Sequence, residues 1–128
     1  MQLAMKKLYL VFQATLCLSS LFAQQNMELA AQLDYVSRNS ATWGYVAPDG
    51  TEYALAGLAS GVSIVSLANP EQPVEVAFVP MQQSSWRELK TFGEFAYVVT
   101  DAGGTTEGVR VIDLSGLPGG VQSWNWKP

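Results

Sequence analysis

At 128 residues, 48% hydrophobic and 14% charged, the chain has the makings of one globular domain at most and is not a disordered polymer. Its formal net charge of −4 comes with no basic cluster, which argues against nucleic acid or an anionic membrane surface as a partner. There is no histidine and a single cysteine, Cys17. Beyond the first segment, therefore, no Ser–His, Cys–His or His–zinc constellation and no disulfide can form.

The N-terminus comes first. Lys6 and Lys7 precede an apolar run that closes on Leu21-Phe22-Ala23-Gln24. A positive start, an apolar core of about 15 residues and a small residue at the cut describe a secretory signal peptide. It spans residues 1–23, with cleavage after Ala23. The run is short for a bilayer span. Leu16 before Cys17 does not suit a lipoprotein signal, and the alternative is a buried amphipathic helix. The predicted location is secreted, extracellular or on the outer-membrane surface, and no transmembrane segment follows. Residues 24–128 then keep 5 Lys+Arg against 11 Asp+Glu.

Residues 24–42 read as a lead-in, in which Met27, Leu29 and Leu33 suit a short helix or an extended arm. From Trp43 onward the pattern is strands and turns. Val46-Ala47-Pro48-Asp49-Gly50 is a turn signal. Glu52 to Gly57 and Val62 to Leu67 read as strands, with Ser60-Gly61 between them. Asn69-Pro70-Glu71-Gln72-Pro73 is a loop that neither a helix nor a central strand tolerates. Val74 to Val79 alternates as a strand.

The pattern then returns. Trp43 and Trp86 lie 43 residues apart, and Glu52-Tyr53-Ala54 recurs as Glu94-Phe95-Ala96, 42 later. Gly61-Val62-Ser63-Ile64-Val65-Ser66-Leu67 recurs as Gly108-Val109-Arg110-Val111-Ile112-Asp113-Leu114, 47 later, with Gly103-Gly104-Thr105-Thr106-Glu107 as a loop insertion. Short strands at such a period predict propeller blades. The expected fold is all-β: a partial β-propeller of about two blades, residues 43–80 and 86–126, preceded by the signal peptide. A plain β-sandwich is the alternative. Two blades leave faces and edges uncovered. The chain is therefore expected to be a fragment of a longer protein, or to close its ring by oligomerising, and residues 24–128 are not expected to be a stable monomer.

The strands 62–67 and 109–114 resemble LVIVD repeats. Trp43-Gly44-Tyr45-Val46, Pro48-Asp49-Gly50, Asn69-Pro70 with Pro73-Val74, and Trp86-Arg87-Glu88-Leu89-Lys90-Thr91 with Ala96-Tyr97-Val98-Val99 resemble the choice-of-anchor B family. The resemblance covers about residues 26–126. It implies a secreted bacterial protein with a propeller-like domain and a variable C-terminal anchor, and it implies no catalytic residues.

Two groups of residues are candidate binding sites. Arg87, Glu88 and Lys90 put charge on a strand expected to lie next to the propeller channel. They suit a site for a small anion, sugar or peptide, or an internal ion-pair network. Trp43, Tyr45 and Trp86 suit a carbohydrate platform or blade-to-blade packing, and Trp124 and Trp126, alternating on one strand, suit either. Asp101 and Glu107 flank a Gly–Thr loop where a hard cation such as Ca²⁺ has oxygen donors, although a solvated turn is the default. No metal or cofactor is expected. The expected function is a secreted or cell-surface binding or scaffold module engaging a protein or glycan, without identifiable catalytic machinery. The alternatives are an extracellular hydrolase or lyase whose active site lies in downstream blades, and a structural protein of envelope assembly.

Overall fold

A computed structural model describes residues 27–103 and 108–127. The segment read as a signal peptide, its cleavage point, and residues 104–107 of the loop insertion, Glu107 included, lie outside the described residues.

The described chain is all-β, with no helix. Strands β1 (Asn39–Val46), β2 (Glu52–Leu58), β3 (Gly61–Ser66) and β4 (Val74–Pro80) form one antiparallel sheet in chain order. Strands β5 (Arg87–Phe92), β6 (Phe95–Thr100), β7 (Val109–Asp113) and β8 (Gln122–Trp126) form a second sheet in the same way. The turn chemistry explains the folding points. Asp49 accepts the Thr51 N–H at 2.9 Å and the Gly50 N–H bonds to Ala47 at 2.9 Å, closing the β1–β2 hairpin. Asn69 accepts the Glu71 N–H at 3.2 Å, and Pro70 and Pro73 keep the β3–β4 connection out of the ladder.

The strand registers make the two sheets equivalent. Leu55 pairs with Trp43 and Ile64, and Tyr97 pairs with Lys90 and Val111. The 42-residue and 47-residue spacings thus mark matching positions on β2/β6 and β3/β7. The tryptophan spacing does not. Lys90, not Trp86, is the counterpart of Trp43, and Trp86 precedes β5. β1 also starts at Asn39, inside the segment read as lead-in, because Asn39 pairs with Leu58 across an irregularity before Ala41. Residues 27–38 form neither helix nor strand. They run over the outer face of the first sheet, where Tyr35 bonds to Ser63 at 2.7 Å and the Ala59 N–H bonds to Arg38 at 2.8 Å.

Strand alternation sorts side chains onto faces. Tyr45, Tyr53, Leu55, Val62, Ile64 and Val79 share one face of the first sheet, and all are buried. They join Leu89, Ala96, Val98 and Ile112 of the second sheet in one core. Each large side chain so buried contributes about 1.5–3 kcal/mol relative to exposure. The sheets approach most closely along β1 and β5, with β2 also against β5. Gly57 permits this approach, since a Cβ there would lie 3.0 Å from Leu89 Cδ2.

Candidate functional site

The sequence-predicted site residues separate into three places. Trp43, Glu88 and Lys90 come together where the edge strands β1 and β5 adjoin. Lys90 Nζ lies 2.5 Å from Glu88 Oε1 and 3.9 Å from the centre of the Trp43 ring. The Trp43 indole N–H donates to Thr91 Oγ1 at 3.0 Å. Trp43 is 37% exposed and the ion pair is open to solvent. The hydrogen bond from Lys90 and its charge hold the Glu88 carboxyl below its ordinary range. An aromatic face, a cation and a carboxylate at one exposed edge can contact a polar ligand. In water the ion pair itself adds little to stability.

Arg87 is one residue from Glu88 but points to the other face and is fully buried. Its Nε donates to Leu58 O at 2.6 Å, its Nη2 donates to Ala59 O at 3.0 Å and also to Gln82 O, and its Nη1 lies 3.5 Å from Met81 Sδ. Its backbone N–H donates to Ser40 Oγ at 3.0 Å, and Ser40 donates on to Gly57 O at 3.1 Å. Arg87 therefore ties β5 to the β2–β3 turn of the first sheet.

Tyr45 shares a face with Trp43 but sits deep in the core, tilted against Tyr53 with ring centres 6.1 Å apart. Trp86 is at the other end of β5, beside Asp101. Five residues of strand, about 16 Å at ~3.3 Å each, separate it from Thr91, the Trp43 partner. Trp43, Tyr45 and Trp86 form no common platform. Asp101 accepts hydrogen bonds from Ser84, from Ser85 at 2.7 Å and from the Trp86 N–H at 3.2 Å. Those bonds fix the approach to β5. No group of three or more metal-ligating side chains occurs among the described residues.

An apolar opening lies on the outer face of the second sheet. Phe95, Tyr97, Val109, Val111, Trp124 and Trp126 line an apolar groove of about 430 Å³. Trp124 and Trp126 remain 46% and 54% exposed, and Phe95 meets Trp124 edge-on at 6.2 Å. The registers make this face the counterpart of the first-sheet face that carries the second sheet. Phe95, Tyr97, Val109 and Val111 stand where Tyr53, Leu55, Val62 and Ile64 are buried. Sequence reasoning singled out the two tryptophans but missed the other four. For Phe95 and Tyr97 the signal was the run Phe95-Ala96-Tyr97-Val98-Val99, which is apolar on both strand faces, as in a sheet covered on both sides.

No described helix is long and apolar enough to cross a membrane. Comparison with protein-family models, curated proteins and solved structures found no match. Fold and site therefore define a class by themselves: a pair of equivalent four-stranded antiparallel meanders, packed face to face, with one apolar face open.

Proposed function

We propose that the chain is a secreted, cell-surface binding and scaffold module, two consecutive blades of a propeller-like array of the LVIVD, choice-of-anchor B type. In this reading residues 1–23 direct export, residues 24–42 lead in, and residues 43–128 carry the blades. The observation that carries it is the open groove. The second sheet repeats on its outer face the surface on which the first sheet seats its neighbour. Its occupant is a further sheet of the same repeat, since stacked repeats bury their faces only against one another. Convergence along β1 and β5 agrees with inner strands of adjacent blades. The Trp43–Glu88–Lys90 edge then faces the channel and is available to a protein or glycan.

Expression with its own N-terminus in a Gram-negative host tests both halves. The expected product lies outside the cytoplasm, begins at Gln24 by mass, and binds the apolar dye ANS, with Trp124→Lys reducing that binding several-fold. A cytoplasmic product with residues 1–23 intact removes the secretion half, and an ANS-silent chain removes the repeat half.

A further inference from the structure

A second opening lies between the two sheets, at the end that carries the β1–β2 and β5–β6 turns. It is a cleft of about 250 Å³. The first repeat brings Tyr45 and Asp49 to it, and the second brings Glu94 and Ser115. Pro48, Leu114 and Leu117 give it apolar walls.

Tyr45 is only 6% exposed, and its hydroxyl has no hydrogen-bond partner among the described residues. Buried polar groups are ordinarily bonded, so a buried orphan needs an explanation. Burial first, and then the negative charge of Glu94, keep this phenol protonated, with Tyr53, Asp113 and Asp49 adding smaller effects in the same direction. Glu94 and Asp49 line the same cleft as Tyr45. Asp49 commits Oδ1 to Thr51, while the Glu94 side chain has no hydrogen bond or ion pair among the described residues. The polar groups on offer are two carboxylates and two hydroxyls, which can all accept. What they lack is a donor that carries positive charge.

We propose that this cleft binds the cationic end of an alkyl guanidinium or alkyl ammonium group. The head is held by Glu94, Asp49 and the Tyr45 hydroxyl, and the alkyl stem lies along Pro48, Leu114 and Leu117. A basic side chain has this division of apolar stem and charged head. The inference deepens the binding-module reading by naming a ligand class, but it uses only the junction of the two described sheets.

Calorimetric titration of the full chain tests it. Acetyl-glycyl-arginyl-glycine amide should bind saturably, and its citrulline analogue, of the same shape without the charge, should not. Glu94→Gln and Tyr45→Phe should each weaken the arginine peptide by about fivefold or more, and added salt should weaken it too. Tyr45→Phe should leave the melting temperature unchanged or raised, because it removes an unbonded hydroxyl. Glu94 is exposed, so its variant serves if the tyrosine variant misfolds. Tighter binding of the peptide than of n-butylammonium assigns the ligand to a polypeptide side chain, and equal binding assigns it to a free organic cation. No heat with either cation, equal binding of the citrulline peptide, or binding that both variants leave intact overturns the proposal. Loss of ANS binding at the outer groove would remove the repeat-array reading without touching this cleft, and a silent cleft would leave that reading standing.

Discussion

Arg87 shows how one side chain can join two repeats. Its guanidinium is out of water and supplies donors to carbonyls of Leu58, Ala59 and Gln82, which lie at or beyond the ends of first-sheet strands. Arg87→Ala leaves those acceptors without the guanidinium, and a destabilisation of about 3 kcal/mol or more is expected in a denaturant melt. Arg87→Lys should recover only part of that loss, since an ammonium cannot reproduce the planar fork. Asp101 offers a pH test. Hydrogen bonds from Ser84 first, and then Ser85, hold its carboxyl below its ordinary value of 3.8. A carboxylate lowered in the folded state adds stability above its unfolded pKa, and that stability is lost as pH falls through the folded value. Asp101→Asn should therefore lower the melting temperature near neutral pH, and the gap to the parent should close on acidification below 3.8. The charges of Arg87 and Glu88 were legible in the sequence. Their opposite fates were not, because the partners of Arg87 are backbone carbonyls, two of them more than 25 residues away.

At the scale of elements, most strands followed from turn residues and alternation. Pro70, Pro73 and the Asp49-Gly50 pair interrupt the ladder chemically, so the ends of β1 and β2 and the β3–β4 connection were readable. The start of β1 was not readable. Asn39-Ser40-Ala41-Thr42 carries no apolar alternation, and it is strand because β2 extends to Leu58 and pairs with it. Gly61 opens β3 and Gly108 immediately precedes β7, and both are needed for the same reason. A Cβ on Gly61 would lie 2.2 Å from Val79 O, and one on Gly108 would lie 2.3 Å from Trp126 O. Gly61→Ala and Gly108→Ala should each destabilise by about 1–3 kcal/mol. Gly44→Ala has nothing within 4 Å of the new methyl group and should not destabilise. Similar losses at Gly61 and Gly108 would show that the last two strands of each sheet pack alike. A loss at one alone would break the equivalence.

For the whole molecule, the decisive asymmetry is between two equivalent faces. The first-sheet face with Tyr53, Leu55, Val62 and Ile64 is buried under the second sheet, while the matching face with Phe95, Tyr97, Val109 and Val111 carries no sheet among the described residues. Repetition in the sequence made the two units legible, but not which face would be covered, because cover depends on what stands next to each sheet. An apolar groove of this kind drives association by burial of apolar surface. Sedimentation velocity over a concentration series, on the parent chain and on Tyr97→Lys/Trp124→Lys, measures this directly. The repeat reading predicts that the parent self-associates as concentration rises, and that the double variant remains folded and stays monomeric. A parent chain that is monomeric throughout, or a double variant that associates equally, would contradict it.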